Sequence, residues 1–184
     1  MGAIDIGYGA ATPGTTNITS AYTVLSTYNP ANDTGTLTVF EVYMKENGTG
    51  VVVGTFSGSG TTWNDRDYES LGDVASGSKQ TFTGKSCSVS SGDILGIYPA
   101  TGRVGVITGS AGNAYLWREG SSFSGGDLSY TQTGDTTRLC IYATGSTETG
   151  WSHITKVDGV TASGAAKKDG IAVGSVAKIN GVAV

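Results

Sequence analysis

Charge is the first scarcity. Charged residues make up 14% of the 184 residues, against about 25% in an average globular chain. The net charge is −4. Lys and Arg do not cluster, and clustering is the footprint that nucleic-acid binding requires, so nucleic acid is excluded as a partner. No apolar run approaches the ~18 residues of a membrane-spanning helix, which excludes a membrane partner of that kind. Proline occurs 3 times, too rarely for a proline-rich linker. There is one histidine, His153, so a catalytic dyad would have to use that residue alone. It follows Trp151-Ser152, at the root of the C-terminal tail, where a surface role is expected. No nucleophile elbow, phosphate-binding loop, His-Glu-x-x-His or paired-cysteine metal motif is present. The expectation is a protein without catalytic residues, bound metal or cofactor. A two-carboxylate glycosidase leaves no local motif and is weighed as a minor alternative.

Cysteine is equally sparse. Cys87 and Cys140 are the only two. Each alternates with its neighbours as a buried strand residue does, and two reduced thiols are expected, with a disulfide formed outside the cell as the alternative. Met1-Gly2-Ala3-Ile4-Asp5 has neither the basic nor the apolar region of a secretory signal. For a complete chain, synthesis in the cytoplasm is therefore expected.

What is abundant is glycine, 30 of 184 residues, roughly twice the usual ~7%. It comes with Thr, Ser, Val, Ala and Tyr. Thr, Val and Tyr suit strands, and Gly and Ser suit turns. From Ala21 the apolar residues fall in short runs broken by turn residues. The predicted strands are 21–27, 36–44, 50–56, 80–89 (bent or interrupted), 94–98, 103–108, 114–118, 127–131 and 137–143. Many short strands with polar breaks imply an all-β antiparallel sandwich of jelly-roll type. Residues 1–20 read as an irregular arm, 21–150 as the sandwich and 151–184 as a separate tail.

Several local features sharpen this. Glu46-Asn47-Gly48 reads as a hairpin turn between Thr36–Met44 and Val51–Phe56. Ser91-Gly92-Asp93 reads as the turn before Ile94–Tyr98. Strand Leu37–Met44 mixes apolar residues on both faces, so a cover from the tail, loops or another subunit is expected on the second face. Ser57–Ser78 reads as a long loop, the kind that serves function or binds a neighbour. It carries Trp63, Asp65, Asp67, Tyr68 and Glu69. The alternating acids have the spacing of calcium ligands but lack the glycine and terminal glutamate of an EF-hand, so a solvated acidic loop is preferred. Trp63 and Tyr68, with Tyr115 and Trp117 on one strand face, are the candidate surface for a glycan or a protein partner, set against ordinary core packing.

The tail holds a repeat. Ile154-Thr155-Lys156-Val157-Asp158-Gly159-Val160 recurs as Ala165-Ala166-Lys167-Lys168-Asp169-Gly170-Ile171 and as Val176-Ala177-Lys178-Ile179-Asn180-Gly181-Val182. The period is 11 residues, from Lys156 to Lys167 to Lys178. Asp158-Gly159, Asp169-Gly170 and Asn180-Gly181 suit two-residue hairpin turns, with extended runs at 160–168 and 171–179 forming a ribbon. A ribbon of Ala, Gly, Ser and Val buries too little surface to stand alone. These six residues are accordingly the candidate assembly turns. Residues 1–150 carry 7 basic and 13 acidic groups, and residues 151–184 carry 4 Lys and 2 Asp. The basic tail is thus complementary to an acidic body, its own or a neighbour's.

A tail of the form lysine–apolar–Asp/Asn–Gly–apolar–Ala–apolar resembles the C-terminal repeats of structural proteins from tailed bacteriophages and related prophages. Gly92-Asp93-Ile94-Leu95-Gly96-Ile97-Tyr98, leading into a Gly-rich strand, is similar in style to jelly-roll modules of virion and carbohydrate-binding proteins. The resemblance implies a non-enzymatic virion subunit (capsid decoration, fibre or tail-associated) that is assembled in the host cytoplasm. Its partners would be itself, as a homo-oligomer with a trimer favoured, and other virion proteins. The alternative is a carbohydrate-binding or adhesive module with glycans as ligands. No family site residues are carried onto residues 1–150.

Overall fold

The structure, a computed structural model, describes residues 2–9, 12, 17–18, 20–109, 114–133 and 137–147, together with six two-residue strands between 156 and 183. Every strand pair is antiparallel, and the described residues contain no helix. The strands of the body are β1 (Ala3–Gly7), β2 (Asn17–Ile18), β3 (Tyr22–Ser26), β4 (Gly35–Ser59), β5 (Thr62–Val74), β6 (Lys79–Phe82), β7 (Cys87–Val89), β8 (Ile94–Tyr98), β9 (Thr101–Thr108), β10 (Tyr115–Glu119), β11 (Leu128–Ser129), β12 (Thr131–Gln132), β13 (Thr137–Leu139) and β14 (Ile141–Thr147).

The 25-residue strand β4 organises the sandwich by belonging to both layers. Its first part pairs with β14 on one side, and β1 lies beyond β14. On its other side it pairs with β7 and β6. Its last part pairs with β8 and β5, and the layer continues from β8 to β3, β10 and β12. Strand β9 holds the corner between the two parts, with Met44 opposite Val104 and Thr49 opposite Thr101.

The principal core lies between the layers. Ile4, Ile6, Leu37, Phe40, Val42, Ile141 and Ala143 come from the first layer, and Val24, Val53, Leu95 and Ile97 from the second. Successive strand residues point to opposite faces. The neighbours Leu25, Ile94 and Leu116 therefore build a second cluster on the outer side of the second layer, roofed by Trp63, Phe123 and Tyr130. Each large side chain buried in this way contributes about 1.5–3 kcal/mol. Glycine makes the second cluster possible. Gly54 and Gly96 are cross-strand neighbours. A Cβ on Gly54 would lie 2.8 Å from Phe123 Cε1, and one on Gly96 would lie 2.6 Å from Leu25 Cδ2 and strike the Phe56 ring. The two glycines leave a flat trough in which the rings rest.

Four expectations are corrected. Residues 1–20 are not wholly irregular: Ala3–Gly7 is a strand with Ile4 and Ile6 fully buried. Asn47-Gly48 does not turn the chain. β4 runs through it and bends by register shifts between Met44 and Val52. Asn47 Oδ1 is held by the Ser76 N–H at 2.9 Å, and Gly102 at φ +83 packs against the Asn47 carbonyl. The positive φ falls on Gly50 instead. Ser57–Ser78 is not a loop. Ser59 pairs with Thr62 across a tight turn at Gly60 (φ +58), and β5 runs on to Val74. Leu37–Met44 needs no cover on a second face. A bulge opposite Thr144/Gly145 lets Leu37 join Phe40, Val42 and Met44 on the inner face, because one extra residue inverts the alternation. The interruption expected in 80–89 is observed, between Phe82 and Cys87.

The chain divides into two units, Gly2–Thr147 and Glu148–Val184. In the second unit, β15 (Lys156–Val157) pairs with β16 (Val160–Thr161), β17 (Lys167–Lys168) with β18 (Ile171–Ala172), and β19 (Lys178–Ile179) with β20 (Val182–Ala183). Each pair is separated by two residues and the pattern repeats every 11. Among the described residues, pairing stays within each repeat and forms three two-stranded sheets, rather than one ribbon. Asp158, Gly159, Asp169, Gly170, Asn180 and Gly181 lie outside the described residues.

Candidate interaction surface

The four aromatic residues singled out in the sequence do not form one platform. Trp63 is 8% exposed in the second cluster, and its indole N–H donates to the Gly60 carbonyl at 3.0 Å. Tyr68 is 50% exposed and packs against Phe123 with the rings tilted at 54° and their centroids 5.5 Å apart. Tyr115 and Trp117 flank Leu116 on β10 and so face the other way. They are half-buried against the principal core, with Trp117 edge-on to Tyr22 at 5.4 Å.

The acids of β5 are fasteners. Asp67 Oδ2 accepts the Ser88 N–H at 2.7 Å, and Glu69 Oε1 accepts the Ser86 N–H at 2.9 Å. Glu69 Oε2 also pairs with Lys85 Nζ at 3.4 Å. Asp65 Oδ1 and Asn64 Oδ1 accept the N–H groups of Gly125 and Gly126 at 2.8 and 2.9 Å. These bonds tie the second layer to the outer edge of β7 and to the loop that roofs the second cluster. Among the described residues, no group of three or more His, Cys, Asp and Glu is placed to hold a metal.

Arg66 reaches the other way. Its Nε and Nη2 meet the two oxygens of Asp93 at 2.5 and 3.1 Å. Asp93 is 3% exposed and also accepts the Ser90 N–H. The carboxylate beside it raises the Arg66 guanidinium above its ordinary range. This fork pins the turn before β8, and bidentate geometry makes it specific.

Edge strands carry unpaired backbone groups and invite pairing. At β1 the edge is filled by the segment that follows β3. Asn32 Oδ1 takes the Asp5 N–H at 3.0 Å, and Asn32 Nδ2 donates to Ala3 O at 3.1 Å. The Gly7 N–H donates to Asn29 O, and Asn29 Nδ2 returns a bond to Gly7 O. Asn29 holds φ +49 to do so. The edge of β7 is closed by Asp67 and Glu69. The edge of β5 differs: β11 pairs with it only at Thr62 and Trp63. From Arg66 to Val74 no described strand lies on that side. The Tyr68 N–H bonds to Asp67 Oδ1, and the Ser70 carbonyl takes Lys85 Nζ. Arg66, Tyr68, Ser70 and Asp73 are exposed along this stretch.

Sequence reasoning located Trp63, Tyr68 and the acids but placed them on a loop. Asp67 and Glu69 share one face of β5, but the shift at Arg66 puts Asp65 on the other, so the even spacing of the three acids was not a clean strand signal. The Asn29 and Asn32 edge caps, the Arg66–Asp93 fork and the stacking of Arg138 on Tyr28 and Tyr8, at 4.1 and 4.9 Å, had no sequence signal. They join residues more than 20 positions apart. Cys87 and Cys140 are free and buried, and burial pushes both thiols up to about 12. His153 lies outside the described residues. No family model matches the chain, and neither a curated protein nor a solved structure shows significant similarity to it.

Proposed function

We propose that the chain is a non-enzymatic structural subunit of a tailed-bacteriophage virion that works by protein–protein assembly. The observation that carries this reading is the tail: three hairpin pairs at an 11-residue period, each with strands of only two residues. An isolated two-stranded hairpin is marginal in water even when longer. A repeated set of them gains stability only by packing on something else, and copies of the same chain in a closed oligomer supply that surface. The phage-type tail resemblance gives the setting. The body contributes a fastened sandwich whose carboxylates serve as hydrogen-bond acceptors.

Size-exclusion chromatography with light scattering on the full chain tests this. A closed oligomer, a trimer in the favoured case, is expected at micromolar concentration. A monodisperse monomer overturns it. The glycan-binding alternative rests on Tyr68 alone among the four aromatics, since Trp63 is buried and Tyr115 and Trp117 pack on the core.

A further inference from the structure

We propose that the open edge of β5, from Arg66 to Val74, is the docking strand for the lysine-bearing repeat of a second copy of this chain. The proposal rests on the assembly reading above and assigns the surface through which assembly occurs.

Two observations converge on that edge. Among the described residues no strand pairs with it from Arg66 to Val74, and two side-chain bonds, at the Tyr68 N–H and the Ser70 carbonyl, are described over this stretch, whereas the shorter edges of β1 and β7 are more densely capped by side chains and loop backbone. A strand edge of this kind recruits an extended segment through backbone hydrogen bonds, with side chains supplying selectivity. Its charge is negative: Asp65, Asp67, Glu69 and Asp73 against Arg66 give −3 within β5. Lys85 and Asp93, which pair with Glu69 and Arg66, cancel each other and leave that figure unchanged.

The charge decides the occupant. A second β5 laid on the first would set acids against acids, and like charges on facing strands destabilise the pair. The complementary charge is in the same chain. Residues 151–184 carry Lys156, Lys167, Lys168 and Lys178 against Asp158 and Asp169, and three of these lysines recur at the repeat period. All four stand in the first strand of a hairpin pair, beside backbone already extended for pairing. Tyr68, half-exposed at the middle of the edge, supplies an apolar anchor.

The test uses the full chain, mixed from 14N- and 15N-labelled preparations and cross-linked with a zero-length carbodiimide. Expected are mixed-isotope peptides joining Lys156, Lys167, Lys168 or Lys178 to Asp65, Asp67, Glu69 or Asp73. In parallel, the exposed positions are changed in the double variant Tyr68→Lys/Asp73→Lys. Its assembly is expected to weaken at least tenfold while its thermal melt stays within that of the parent. Unimpaired assembly of that variant, or mixed-isotope cross-links that all avoid β5, overturns this inference and leaves the assembly reading standing. A monomer throughout overturns both.

Discussion

At the scale of single residues, one position constrained by space alone is a glycine. Gly96 has an ordinary strand conformation, so its need for a missing side chain is a matter of space and not of backbone angle. Gly96→Ala would place a methyl against Leu25 and Phe56. Overpacking of this kind costs about 1–3 kcal/mol. The expected result is a lower urea midpoint with an unchanged slope. Adding Phe56→Leu should recover part of the loss, since the two sites touch and their effects are not additive. Full additivity would show that the ring is not the obstacle. The two thiols give a second residue-scale prediction. Burial raises Cys87 and Cys140 from 9.0 to about 12 in the folded chain. Below pH 9 both states hold their protons and this contribution to stability is fully present. Between pH 9 and about 12 the unfolded chain releases protons that the folded chain keeps, so stability falls as pH rises. The slope approaches about 1.4 kcal/mol per pH unit for each thiol. Thermal melts across this range should therefore be flatter for Cys87→Ala/Cys140→Ala than for the parent, and equal slopes would refute the assignment.

At the scale of elements, closure of the sandwich flank depends on β5 lending acceptors to β7. Asp67→Ala and Glu69→Ala each strand one backbone N–H, at Ser88 and Ser86. The expected cost is about 1 kcal/mol each, with faster amide hydrogen exchange at the affected serine. Asp67→Asn keeps an acceptor oxygen and should change exchange at Ser88 little. Equal exchange in all three variants would mean the carboxylates do not hold the edge. The same elements show what a sequence discloses. Ile94–Tyr98 was legible to the residue, because an unbroken apolar run stands between Ser91-Gly92-Asp93 and Pro99. Thr62–Val74 was not, because a strand whose side chains bond to distant loops is as polar as a loop. Leu37–Met44 looked two-faced because a one-residue bulge is silent in the sequence yet inverts every side chain beyond it. For the same reason Trp63 and Tyr68 could be named, while their orientations could not. The register between them shifts at Arg66, between the Thr55–Asp67 and Phe56–Asp65 pairs.

At the scale of the molecule, the described strand pairings of the body and its two clusters all lie within Gly2–Thr147. A chain ending at Thr147 should therefore melt within about 2 °C of the full protein under monomeric conditions, since ~1 kcal/mol moves a domain of this size by roughly 2–4 °C. Loss of the cooperative transition on truncation would show that the tail is part of the fold. The period of the tail was legible because Lys, Asp/Asn and Gly recur in fixed order. Its pairing within each repeat followed from the Asp-Gly and Asn-Gly spacing, while the confinement of pairing to single repeats among the described residues did not.

The pairing of β1 with β14 has a consequence in time. Ala3 meets Ser146 and Gly7 meets Tyr142, so the first strand of the body to leave the ribosome is paired by the last. At 5–20 residues per second, synthesis of ~150 residues takes roughly 7–30 s. For that interval Ile4 and Ile6, both destined for the core, have no sheet to enter. Contacts this distant in sequence also slow the folding step itself. β1 is therefore the strand of the body that waits longest for its partner, and in that interval it is open to wrong pairing.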